Sequence, residues 1–149
     1  MNTILFNEIN KLVPRARVYN SANQSINTGV YTLLTFDSID VDNREHYDSN
    51  NTDRLYIRES GEYLIYGTFA FTGNATGYRT AGLFKNGTEL ARDNRASADA
   101  SAFTAFIIST VISCAKGDYI QMKAFQNSGV SLSVVAETHS PILGITKLS

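Results

Sequence analysis

Residues 63–72, Tyr-Leu-Ile-Tyr-Gly-Thr-Phe-Ala-Phe-Thr, carry large apolar groups on both sides of a period of two. Successive strand side chains point to opposite faces, so the period itself predicts a strand. One face holds Tyr63, Ile65, Gly67, Phe69 and Phe71; the other holds Leu64, Tyr66, Thr68 and Ala70. Residues 102–114 repeat the pattern, with Phe103, Ile107 and Val111 on one side and Phe106, Ile108 and Ile112 mostly on the other. A sandwich strand with one solvated face is polar on that face. These two segments therefore need a second covered surface. A central position under loops would supply one, and so would contact with another subunit. A large bare apolar patch is unusual on a monomer, which favours oligomerisation.

The rest of the chain from Arg15 onward also reads as strands and turns. Runs rich in β-branched and aromatic residues occupy 16–19, 29–36, 39–41, 55–57, 78–85, 89–93, 118–125, 130–136 and 142–148. Turn signals separate them: Ser60-Gly61, Asn86-Gly87, Lys116-Gly117-Asp118 and Asn127-Ser128-Gly129. Asn86-Gly87 is the sharpest, because a type I′ turn needs positive φ at both central residues. The spacing predicts an all-β sandwich or barrel. Pro14 sets off a leader, residues 1–14, from one domain over 15–149. Within the leader Ile4, Leu5, Ile9 and Leu12 line one face of a short helix, or else belong to an extended arm; both need a partner to pack on.

At 149 residues the chain fits one domain that can bury a core without staples. Charged residues are 18%, below the roughly 25% that is usual, and the polar surface is left to Asn, Ser and Thr. A net charge of -1 without basic runs excludes the electrostatic footprint of a nucleic-acid binder and of a basic membrane-surface patch. No apolar run approaches the length of a membrane span, and residues 1–13 lack the pattern of a secretory signal, which points to cytoplasmic synthesis. The single cysteine, Cys114, cannot form an intrachain disulfide and reads as a small buried thiol.

Catalytic chemistry finds little support. His46 and His139 belong to no ligand-spaced cluster and read as solvated loop residues. Neither a nucleophile elbow nor a phosphate-cradling glycine loop occurs. Asp37, Asp40, Asp42, Glu45, Asp48 and Asp53 crowd one stretch. Paired carboxylates hydrolyse glycosides only at a set separation in a cleft. Calcium is the one cofactor the stretch suggests, with Asp40 and Asp42 as weak candidate ligands; the turn glycine and closing glutamate of an EF-hand are missing. The alternative is a solvated strand edge whose charges discourage edge pairing. The sequons at Asn23, Asn50, Asn74 and Asn86 follow from richness in Asn and Thr.

The order of segments nevertheless resembles one known group. Gly61-Glu62-Tyr63-Leu64-Ile65-Tyr66-Gly67-Thr68-Phe69 is similar to the Gly-x-Tyr-aromatic strand of the C1q/TNF jelly-roll superfamily, approached through Leu34-Thr35-Phe36-Asp37 and Glu45-His46-Tyr47-Asp48. Gly82-Leu83-Phe84-Lys85-Asn86-Gly87 resembles its Lys-Asn-Gly hairpin, and Ala115-Lys116-Gly117-Asp118-Tyr119-Ile120 its Lys-Gly-Asp turn. Ile142-Leu143-Gly144-Ile145 stands at its closing strand, with Leu143 where an aromatic is common. The resemblance covers residues 15–149 and implies a ten-stranded jelly-roll β-sandwich that forms a homotrimer and recognises rather than catalyses. Under it, Tyr66, Phe69, Phe106, Ile108 and Tyr119 are the expected trimer-seam residues. No collagen stem is present, and similar domains occur on phage particles. The implied placement is therefore the surface of a virion, as a capsid decoration (cement) knob docked on the major capsid protein through the leader. The alternative is a fibre component, a receptor-binding tip for host-surface glycan or protein.

Overall fold

A computed structural model of the chain describes residues 3, 4, 8, 13–137 and 141–149. Twelve strands occur among them: β1 (Arg15–Tyr19), β2 (Gln24–Ile26), β3 (Thr32–Leu33), β4 (Ser38–Asp42), β5 (Leu55–Tyr56), β6 (Gly61–Phe71), β7 (Tyr78–Lys85), β8 (Thr88–Ala96), β9 (Thr104–Cys114), β10 (Tyr119–Gln126), β11 (Leu132–Val134) and β12 (Ile142–Lys147). Thr3, Ile4 and Glu8 are helical, with Ile4 exposed; Leu5, Ile9 and Leu12 of the expected docking arm lie outside the described residues.

The strands form two antiparallel sheets. In the first, β4, β1, β12 and β6 lie side by side, β9 pairs along the other edge of β6, and the β2–β11 ribbon joins where Val134 meets Phe71. In the second, β8, β7 and β10 are neighbours, and the short β3 and β5 share the remaining edge of β10. Neighbours distant in sequence, such as β1 with β12 and β7 with β10, give the jelly-roll winding. The extra segments beyond ten are two- or three-residue pieces. β2, Gln-Ser-Ile, carries no sequence signal because Ile26 alone of its residues enters the core.

The inner faces meet in one core. Ile65, Phe69, Phe71, Phe106, Leu143 and Ile145 come from the first sheet; Ala81, Leu83, Ile120, Met122 and Ala124 come from the second. Phe69 packs edge-on against Phe71 with centroids 5.6 Å apart and tilted against Phe106 at 5.1 Å. Gly67 is required here, since a Cβ on it would collide with the sulfur of Met122.

Two turns whose residues carried the family resemblance hold each other. Asn86 (φ 50°) and Gly87 (φ 81°) have the positive φ of a type I′ turn. Asn86 Nδ2 donates to Asp118 Oδ1 at 2.8 Å, and Asn86 Oδ1 accepts from the Tyr119 N–H at 2.9 Å. Asp118 Oδ2 accepts from the Ala115 N–H at 2.9 Å. These bonds, with Lys85 nearby, hold the Asp118 carboxyl below its ordinary pKa. Lys-Asn-Gly and Lys-Gly-Asp are thus one clamp that joins the β7–β8 hairpin to the β9–β10 turn.

Candidate functional site

The alternation in β6 and β9 resolves into a core face and an outer face. Phe69 and Phe106 are each 1% exposed and Ile108 is 7% exposed, so three expected seam residues sit inside the protomer's own core. The outer face of β9 is the opposite one. Ile107 is 79% exposed, Val111 55% and, just before the strand, Phe103 47%. Cross-strand partners share a face: Ile107 stands opposite Thr68, Ser109 opposite Tyr66 and Val111 opposite Leu64. On the far side of β6, Tyr66 stands opposite Gly144, and a Cβ there would collide with its ring. Gly144 thus lets Tyr66 lie flat on the sheet. The result is an outer face with Leu64, Tyr66, Ile107 and Val111 at its centre, Thr68 and Ser109 interleaved, and charge at its margins, Glu62 opposite Ser113 and Arg17 opposite Gly144.

β9 is also a sheet edge, and its backbone is partly closed off. Arg95 Nη1 donates to the Ala105 carbonyl at 2.9 Å, and Lys85 Nζ donates to the Ser113 carbonyl at 3.0 Å. The Ser113 hydroxyl bonds the Glu62 carboxylate. Cations on the rim of an edge strand discourage strand addition, so the face of β9, not its edge, is what this surface offers.

Tyr119, the fifth expected seam residue, lies on the other sheet, so the five do not form one surface. Its ring sits edge-on to Tyr56 at 6.4 Å, with the Arg54 guanidinium 4.3 Å from its centroid. Farther along the same outer face Tyr31 stacks on Phe125 at 4.6 Å, and Phe125 tilts against Tyr78 at 5.5 Å. Between the two aromatic groups, Tyr31, Phe84, Glu89, Arg92 and Lys123 line a groove of about 210 Å3. The second outer face therefore puts cations over rings, where the centre of the first carries aliphatic groups, Tyr66 and small hydroxyls.

The loop end near Phe71 is fixed by two buried polar side chains. Arg79, 0% exposed, donates from Nη1 to the carbonyls of Thr76 (2.8 Å) and Tyr78 (3.1 Å), and from Nη2 to that of Asn74 (3.0 Å). Its Nε has no partner, and burial pushes its pKa down. Gln126 Nε2 donates to Ile26 O (2.9 Å) and Val130 O (2.7 Å), while its Oε1 accepts from the Ser128 N–H (2.7 Å).

The acidic stretch serves local structure. Asp42 accepts backbone N–H bonds from Arg44, His46 and Tyr47 at 3.3, 2.9 and 2.8 Å. Asp40 pairs with Arg17 Nε at 3.3 Å, Asp37 binds Ser21 and Ser38, and Asp48 binds Asn50 and Asn51. A carboxylate fed by N–H donors is satisfied as an anion, which is poor ground for a cation ligand. Among the described residues no group of three or more His, Cys, Asp and Glu is placed to hold a metal.

His46 corrects its sequence reading. It is fully buried, not solvated. Its Nδ1 lies 2.7 Å from the Tyr56 carbonyl, an acceptor, so Nδ1 carries the proton and Nε2 is left with no partner. Burial pushes its pKa down, against the pull of that carbonyl and of Asp42. His139 lies outside the described residues. Cys114 is buried, and burial pushes its thiol pKa up, away from reactivity.

No protein-family model and no curated protein matches the sequence. Solved structures do match. Murine APRIL superposes with a TM-score of 0.71 at 18% identity, over 91% of this chain and 99% of that one. Eiger TNF from S. frugiperda superposes with a TM-score of 0.70 at 10% identity, over 92% and 93%. The globular domain of zebrafish complement 1qA gives 0.66 at 13%, over 91% and 98%. The chain has the C1q/TNF-like jelly-roll fold, as the order of its strand and turn segments implied.

Proposed function

We propose that the protein is a non-enzymatic binding or structural module that works as a homotrimer, with the outer face of β6 and β9 as its seam. The observation that carries this reading is Ile107, 79% exposed on a face it shares with Val111, Leu64 and Tyr66. Burying an aliphatic side chain of this kind is worth about 1.5–3 kcal/mol, and closing a ring applies that gain at every seam. Three-fold closure is what the C1q/TNF resemblance implies. Light-scattering chromatography tests it: the expected mass is three times 16.4 kDa, and a wild-type monomer overturns the reading.

Within this class we propose a place on a virion as a capsid decoration knob, with the apolar leader residues Ile4, Leu5, Ile9 and Leu12 as the docking arm on the major capsid protein. The Asn-, Ser- and Thr-rich composition with little charge supports a particle-bound surface. Deleting residues 1–14 is expected to leave a folded trimer that no longer joins particles; undiminished incorporation overturns the docking role. The alternative, a receptor-binding fibre tip, is favoured by the loop end that Arg79 and Gln126 hold rigid, since preorganised loops bind at lower entropic cost.

A further inference from the structure

The groove on the outer face of the second sheet has features the self-association reading leaves unused. Tyr31 is 40% exposed, and its ring is fixed by stacking on Phe125. Arg92 also stands over that ring, 5.7 Å from its centroid, so the ring offers an exposed platform beside a cation, suited to the C–H face of a partly apolar ligand. Lys123 Nζ lies 4.6 Å from the Phe84 centroid, and its ammonium has a ring, but among the described residues no carboxylate, beside it. Arg92 Nε and Nη2 both bond one oxygen of Glu89, Oε2, at 3.1 and 2.8 Å. That leaves Arg92 Nη1 and Glu89 Oε1 to meet a ligand. On the same face Asn94 accepts from the Thr80 hydroxyl at 2.7 Å, so the exposed Asn94 amide keeps its N–H donors. Counting Lys123, Arg92 and Glu89, the groove is net positive in a chain whose total charge is -1.

We infer that this groove binds an acidic sugar: the pyranose ring packs against the exposed part of Tyr31 beside Arg92, the carboxylate meets Lys123, and the hydroxyls are shared by Arg92, Glu89 and Asn94. The mixture selects this chemistry. A purely apolar ligand would strip water from Lys123 and the Arg92–Glu89 pair without replacing it. A nucleic acid would need a basic track longer than one groove of about 210 Å3. A pyranose carboxylate uses the platform, the cation and the donor–acceptor pair together. The site belongs to the sheet opposite the proposed seam, so it stands whether or not the chain trimerises.

The test uses the full chain, with trigalacturonate and its methyl ester as probes, followed by saturation-transfer NMR and by tyrosine fluorescence, which the absence of Trp leaves unmasked. Wild type is expected to bind trigalacturonate with a Kd near about 1 mM and the ester about tenfold more weakly. Lys123→Gln should abolish that preference, and Tyr31→Ala should lose binding of both, with circular dichroism and chain mass unchanged. No saturable trigalacturonate signal at about 10 mM, well past such a Kd, overturns the site. Equal binding of acid and ester overturns its selectivity, and binding untouched by either variant overturns its location. A monomeric mass in the same samples would instead count against the trimer.

Discussion

The two outer faces of this sandwich differ in a way that assigns them different work. On the first sheet Ile107 and Val111 stand beside Leu64 and Tyr66, with Glu62 at the end of β6 and the Arg17–Asp40 pair beyond Gly144 as the flanking charges. On the second, every ring cluster has a cation over it: Arg54 on Tyr119, Lys123 on Phe84, Arg92 on Tyr31. Aliphatic groups gain only by leaving water, which suits a dry, permanent surface such as a subunit seam. A ring under a cation stays partly wet and presents a polar tip with an apolar body, which suits a ligand that comes and goes. The proposed seam and the proposed sugar site thus ask different chemistry of the two faces.

The sharpest way to break this comparison is to place the same charge on adjacent residues of β9. Phe106→Asp puts a carboxylate into the Phe69–Phe106 contact and should cost more than the roughly 3–5 kcal/mol of a Phe→Ala truncation, because a charge is buried as well. Loss of the folded baseline in a denaturant melt is the expected result. Ile107→Asp, one position along, should leave the fold intact and cut the chromatographic mass to that of a monomer. If both variants stay folded at full mass, β9 has neither a core side nor a seam side of the kind described.

Gly144→Val probes the same face more gently. A branched side chain cannot share the space of the Tyr66 ring, so the ring must lift off the sheet. Overpacking of this kind costs about 1–3 kcal/mol. The variant should melt earlier and associate more weakly while trigalacturonate binding on the other sheet is unchanged. Weakened sugar binding would show that the two faces are coupled through the core and are not separate surfaces.

Much of this division was legible in the sequence, and the part that was not has a physical cause. Period two in residues 63–72 and 102–114 revealed two apolar faces, but periodicity is blind to which face is inward. Phe69, Phe106 and Ile108 were therefore expected at the seam and are core. Turn chemistry was legible because Asn86-Gly87 and Gly117-Asp118 demand particular backbone angles and partners. The Tyr31, Phe84 and Lys123 groove was not, since its members lie far apart in sequence and meet only through the pairing of β10 with β3 and β7. A cation two positions from an aromatic on the same strand, as in Lys123 and Phe125, is the one local hint. His46 was misread because its burial depends on the Asp42 carboxylate gathering the 44–47 backbone, a contact that composition cannot announce.

His46 also gives the smallest and most selective test of the comparison. It is neutral and buried in the folded chain, with its pKa pushed below the ordinary 6.5. The unfolded chain therefore binds more protons as the pH falls, so stability is full above about pH 6.5 and declines below it. Asp37, Asp48, Asp99, Asp118 and Glu59 have lowered pKa values as well, and their losses set in as the pH falls through about 5 toward their ordinary values of 3.8 and 4.5. Between roughly pH 6.5 and 5.5 the slope of melting temperature against pH belongs, among the described residues, to His46, and His46→Gln should flatten it. The local effect should be one-sided. Protonated Nε2 has no acceptor, and Nδ1 is tied to the Tyr56 carbonyl, so relief comes by loosening β5 and with it the Tyr56–Tyr119 pair on the second face. Hydrogen exchange at pH 5.5 should quicken at the Tyr56 and Ile57 amides, which bond to His46 O and Asp118 O, while β9 keeps its protection. Equal quickening in β9 would mean that acid acts on the whole sandwich, and the two faces would then rise and fall together.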